Sequence, residues 1–65
     1  MTGEELIVAR AALGYTQGDL ASTLGVGRRT IQHWEAGERL VPEPIARIIR
    51  LAKKYPRLMR QLARA

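Results

Sequence analysis

The 65-residue chain contains no cysteine and a single histidine. The missing cysteines exclude a disulfide framework, and with one histidine no zinc finger can be assembled. No pair of carboxylates has a spacing typical of acid–base catalysis. An enzyme is therefore the least favoured function, and we expect no catalytic residue, no bound metal and no cofactor.

Long apolar runs and phenylalanine are also absent, and the aromatic residues are one tryptophan and two tyrosines. A core must therefore come mainly from aliphatic side chains. No segment has the length of a membrane span, and the opening "MTGEELIVAR" carries acidic residues where a secretory signal carries basic ones. We expect a cytoplasmic protein without a membrane partner, folded as one domain over residues 1–65.

Acidic residues are few compared with basic ones. Eleven Lys and Arg residues stand against six Asp and Glu, which gives a formal net charge of +5 and a pI near 10.8. From Arg50 onward the tail "RLAKKYPRLMRQLARA" contains six basic residues and no acidic one. Polyanions are the expected partners: nucleic acid, an anionic membrane surface or an acidic protein.

The apolar pattern predicts an all-α fold of five short helices. Thr2 and Thr16 are candidate N-caps, each followed three residues later by an acidic residue, and Gly14 and Gly25 are expected stops. A third helix is expected over residues 28–36. A fourth has Pro44 in its first turn and a buried stripe of Ile45, Ile48, Ile49 and Ala52, and the fifth lies in "PRLMRQLARA".

The second and third helices have the spacing of a helix-turn-helix. Two helices that cross steeply after a short turn need a small residue at the contact and a turn residue that tolerates positive φ. Ala21 and Gly25 stand at these positions, and Ile31 and Trp34 can anchor the third helix in the core.

Through "YTQGDLASTLGVGRRTIQHWEAGER" the chain resembles the lambdoid Cro and repressor type of helix-turn-helix domain, over roughly Leu6 to Leu51. The resemblance implies that the third helix enters the DNA major groove while the second lies across the backbone. By position, Arg28, Arg29, Gln32 and His33 become base-reading residues. Thr30 is a further base-reading candidate that could contact a thymine methyl group, or it could form a local backbone hydrogen bond instead. The residue pattern agrees, because burying Ile31 and Trp34 leaves residues 28, 29, 32 and 33 on the outer side.

Phosphate contacts are expected around the two ends of the motif. The resemblance implies that Gln17, at the start of the second helix, contacts a phosphate of the DNA backbone. Arg39 and the backbone amides of Gly37 and Glu38 are further phosphate-binding candidates. The resemblance also implies an ion pair between Arg10 and Glu35 that ties the third helix to the first.

The predicted function is a sequence-specific transcriptional repressor that binds a palindromic operator as a homodimer, in the manner of small regulators of phages or mobile elements. No small-molecule ligand is expected. An antitoxin-like protein whose main partner is another protein is the alternative. The dimer candidates are Leu40, Val41, Ile45, Leu58, Met59 and Leu62, unless these residues only complete the monomer core.

Overall fold

The computed structural model describes residues 1–55 and Arg57, and this part of the chain is all-helical. Its four helices are α1 (Gly3–Leu13), α2 (Gln17–Leu24), α3 (Arg28–Glu35) and α4 (Glu43–Lys54). None of these helices is long and apolar enough to cross a membrane. The predicted fifth helix lies in residues 56–65 and so falls outside the described residues, except for Arg57.

The predicted caps of the first two helices are confirmed. The Thr2 hydroxyl accepts the Glu5 N–H at 3.2 Å, and the Glu5 carboxylate accepts the Thr2 N–H at 3.1 Å. Thr16 and Asp19 form the same reciprocal pair at the start of α2, with both bonds at 3.0 Å. Each pair satisfies two N–H groups that the helix itself leaves unpaired, which fixes where the chain enters the helix.

One aliphatic core holds the four helices together. Leu6, Leu20, Ile31 and Ile49 are fully buried, one from each helix. Smaller residues and one aromatic complete this core: Ala9, Ala21, Trp34, Val41, Ala46 and Ala52. Alanines at the helix contacts let the backbones approach closely, so a chain of this size can bury a continuous apolar centre.

Around α4 the structure shows which of the expected residues lie in the monomer core. Val41, a dimer candidate, is 3% exposed and belongs to the monomer core, and Ile45 packs against that core. Ala46 is fully buried although the predicted stripe omitted it, and Ile48 is only half-buried. The helix is rotated so that Ala46, Ile49 and Ala52 face inward, and the two alanines let α4 approach α1 closely.

The first residue of α1 lies directly against the end of α3. Gly3 is buried, and a Cβ atom built on it would lie 2.5 Å from the Trp34 carbonyl oxygen and 2.7 Å from that of Glu35. Both neighbours are backbone atoms, which cannot turn away as a side chain can. Glycine at this position therefore sets how closely α1 and α3 pack.

We predict that Gly3→Ala lowers the free energy of unfolding by about 1–3 kcal/mol, because the added methyl group overpacks a rigid backbone contact. Gly18→Ala is the matched control, since its Cβ would meet nothing closer than Thr16 Oγ1 at 3.8 Å. That control should stabilise the protein by up to about 1 kcal/mol. Urea denaturation followed by circular dichroism measures both, and equal effects of the two substitutions would contradict the close contact.

Candidate nucleic-acid interface

The outward side of α3 carries the side chains that the sequence singled out. Arg28, Arg29 and Gln32 are exposed, while Thr30 and His33 are half-buried. The opposite side is anchored by Ile31, which is fully buried, and Trp34, which is 6% exposed. One eight-residue helix thus contacts the core along one side and presents cationic and amide groups along the other.

The Glu35 carboxylate joins α3 to α1. Arg10 Nε donates to Glu35 Oε2 at 2.7 Å, and Arg10 Nη2 donates to Oε1 at 3.1 Å. A third guanidinium bond, from Nη1, reaches the Tyr15 carbonyl at 2.9 Å in the turn between α1 and α2. The Glu35 side chain is 7% exposed and that of Arg10 is 21% exposed. This two-bond geometry fixes the relative orientation of both side chains as well as neutralising their charges.

Gln17 extends the same network to α2. Its Nε2 donates to Glu35 Oε1 at 3.1 Å, and its Oε1 accepts a longer bond of 3.4 Å from Gln32 Nε2. One amide N–H of Gln17 remains after the bond to Glu35. Gln17 is therefore held in one orientation by two residues of α3 and keeps a donor for a further acceptor.

The electrostatics of Glu35 follow from these contacts. Burial raises the pKa of its carboxyl group, but the hydrogen bonds from Arg10 and Gln17 outweigh burial, so the pKa falls below its ordinary value of 4.5. A lowered folded-state pKa stabilises the protein above the unfolded-state pKa. This contribution is lost as the pH falls through the lower, folded-state value.

A surface depression of about 630 Å³ lies beside the start of α2. Its lining includes Arg10, Gln17, Gly18 and Arg28. The N–H groups of Gln17 and Gly18 belong to the first helical turn, where no intrahelical acceptor exists. The Arg28 guanidinium, the Gln17 side-chain amide and the N-terminus of α2 together make a surface that suits an anion. Arg28 thus borders this depression and also lies on the outer side of α3.

The two backbone amides that were predicted to bind phosphate, those of Gly37 and Glu38, donate hydrogen bonds to the last turn of α3 instead. Gly37, with φ at 79°, donates its N–H to the Trp34 carbonyl, and Glu38 donates its N–H to the His33 carbonyl, both at 3.1 Å. These bonds are the Schellman arrangement that closes a helix. Both N–H groups therefore already have backbone acceptors, which makes them poor donors to a phosphate. Arg39, which follows, is exposed.

The predicted dimer residues separate into three groups. Val41 and Ile45 contribute to the monomer, as described above, whereas Leu40 is 76% exposed. Leu58, Met59 and Leu62 lie outside the described residues. An apolar row that the sequence analysis missed runs along α4 at helical spacing. This outer row comprises exposed Pro44, half-buried Ile48 and Leu51, which is 41% exposed.

Sequence reasoning also missed contacts made by residues that it had named. Gln17 contacts Glu35, and the Glu38 carboxylate contacts the His33 ring. The second contact had a usable indication, because a glycine after a helix often gives a Schellman turn that brings together residues five apart. The contact between Gln17 and Glu35 had no such indication in the sequence, because it depends on how α2 and α3 cross.

Comparison with known families gives one finding. A family model for helix-turn-helix domains matches residues 6–58, which is most of the chain and covers α2, α3, α4 and all but the first three residues of α1. No curated protein and no solved structure matches the chain.

We predict that Arg10→Met and Glu35→Leu each destabilise the protein, by about 3 kcal/mol, because each leaves a largely buried charge without its partner. The double variant should recover part of the summed loss, since no unpaired charge remains. Thermal unfolding of the four proteins measures the coupling. Strictly additive losses would show that the two side chains contribute independently.

Proposed function

The chain belongs to the helix-turn-helix family, and on this premise we propose that it is a sequence-specific double-stranded DNA-binding regulator, acting as a repressor. The observation that carries the proposal is the two-sided character of α3. Its inner side is fixed by Ile31 and Trp34, and its outer side presents Arg28, Arg29, Gln32 and His33. An α-helix with such an outer side fits the width of the major groove.

The outer side chains have the hydrogen-bonding capacity that base reading requires. A guanidinium group can donate two bonds to guanine O6 and N7, and a glutamine amide can bond adenine N6 and N7. We assign Arg29 to guanine, and Arg28 to guanine or to a phosphate, since Arg28 also borders the depression at α2. Thr30 is assigned to the thymine methyl group, which an adjacent threonine methyl can contact.

The start of α2 is the proposed phosphate-binding site. Gln17 has a spare amide N–H, and the first-turn N–H groups of Gln17 and Gly18 point away from the helix body. Arg10 neutralises Glu35 next to this site, which would otherwise repel a phosphate. Arg39 is a further proposed phosphate contact. These contacts set the register of α3 in the groove without reading sequence.

A homodimer on a palindromic operator is the assembly that we propose. One helix in one major groove reads only a few base pairs, so two copies are needed for useful specificity. Leu40 and the outer row of α4 supply an apolar surface for a second copy. Two such domains on one operator would block access to an overlapping promoter by occupancy, which is why we propose repression.

We predict that Arg29→Ala weakens binding to the selected operator by about 1–3 kcal/mol and relaxes the preference at one base position. Gln17→Ala should weaken cognate and mutated operators by a similar factor, because a phosphate contact carries no base information. Lys53→Ala is the control for charge, since it lies on the groove between α1 and α4.

The measurement is selection of binding sites from random double-stranded DNA, followed by fluorescence-anisotropy titration at one fixed salt concentration. If Arg29→Ala and Lys53→Ala had identical sequence preferences and affinities, α3 would not be the base-reading helix. An effect of Gln17→Ala confined to one base pair would overturn its phosphate role.

We predict that Leu51→Glu shifts the protein towards monomer and weakens operator binding, because it places a charge in the proposed apolar interface. Val8→Glu is the matched control, since Val8 is 60% exposed on α1. Sedimentation velocity with and without operator DNA measures the assembly state. If the parent protein bound the full operator as a single chain, the homodimer would be excluded while DNA binding remained.

A further inference from the structure

The Glu38 side chain contacts a proposed base-reading residue. Glu38 Oε2 lies within hydrogen-bonding distance of His33 Nδ1. The same two residues are joined through the backbone, where the Glu38 N–H donates to the His33 carbonyl at 3.1 Å. The positive φ of Gly37 reverses the chain so that both contacts form at once. The carboxylate is thus brought to the ring by the same turn that ends α3.

This contact decides which ring nitrogen carries the proton. A carboxylate only accepts hydrogen bonds, so Nδ1 must be the donor. In a neutral imidazole the other nitrogen, Nε2, then has no proton and is a hydrogen-bond acceptor. Nε2 is also the ring nitrogen farther from the His33 backbone.

We propose that Glu38 is a positioning residue that sets the base preference of His33. With Nε2 kept as an acceptor, His33 selects a base that presents an amine in the major groove, which is adenine N6 or cytosine N4. Guanine presents only acceptors at that edge and is disfavoured. This inference rests on the proposed function and deepens it, because it adds Glu38 as a residue that affects base preference through His33.

Glu38 is poorly suited to other roles in this interface. Its side chain is 60% exposed and that of His33 is 41% exposed, so their contact adds little to stability. An ionised carboxylate has no hydrogen-bond donor to offer a phosphate, and beside DNA its negative charge reduces the general attraction. Removing the carboxylate therefore leaves the fold intact, which separates its effect on specificity from an effect on folding.

The first test measures the tautomer without DNA. The chain has one histidine, so a long-range ¹H–¹⁵N correlation spectrum contains one imidazole. At pH 8.5 the neutral ring of the parent protein should have Nδ1 protonated and Nε2 bare. Glu38→Ala should move the population towards protonated Nε2, whereas Glu43→Ala should not. A parent ring with Nε2 protonated would overturn the proposal, whatever the protein binds.

The second test measures base preference at the same pH. His33→Ala first identifies the operator position whose preference depends on this ring. At that position the parent should lose affinity roughly five-fold when the base is replaced by an analogue without the exocyclic amine. The Glu38→Ala variant should show no such loss of affinity and should also tolerate guanine at that position. Its preferences at all other positions should stay unchanged.

Glu43→Ala is the matched control for the second test as well, because it removes the same charge from another exposed carboxylate, one that pairs with Arg50. It should keep the parent's preference for the amine. An unchanged preference in Glu38→Ala, with sequence-specific binding intact, would overturn the role of Glu38 and leave the proposed function standing. Absence of sequence-specific binding by the parent protein would instead overturn the proposed function.

Discussion

The Glu35 carboxylate is the contact on which the arrangement of the first three helices depends. Its two oxygens accept three hydrogen bonds, two from Arg10 of α1 and one from Gln17 of α2, while Glu35 itself ends α3. A carboxylate that is 7% exposed is costly unless its hydrogen-bonding capacity is filled, and here the partners come from the two helices that must be positioned. The ion pair adds little net stability compared with an apolar contact. Its effect is on geometry, because these three hydrogen bonds restrict how the three helices lie relative to one another.

This network also explains why a very short α3 can present a defined surface. An isolated eight-residue helix is unstable in water, so α3 forms through its tertiary contacts. Ile31 and Trp34 anchor its inner side, Gly3 allows α1 to approach its last carbonyls, and Glu35 fixes its rotation. The start of α3 lacks a side-chain cap, since Gly27 has none to offer. Tertiary packing replaces that local stabilisation. The core contacts of α3, made by Ile31 and Trp34, lie in its second half.

Much of this fold could be predicted from the sequence because its determinants are local. Capping boxes at Thr2 and Thr16, and glycine stops at Gly14 and Gly25, act over three or four residues, and the structure confirms them. The failures have a different origin. Whether Ala46 or Ile48 faces inward depends on how α4 rotates against α1, which no local pattern encodes. Likewise, the outer side of α3 follows from helical period, whereas the contacts of Gln17 depend on a crossing between helices.

The proposed interface divides into side chains that are coupled to the scaffold and side chains that are not. Arg28 and Arg29 are exposed at the start of α3, so replacing them alters base contacts at little cost to the fold. Gln32 bonds Gln17, and His33 contacts Glu38, so a change at either position also alters the orientation of its partner. Because Gln17 in turn bonds Glu35, a substitution at Gln32 affects the phosphate site as well as base reading. Sequence preference in this domain is therefore easier to alter at the first turn of α3 than at its second.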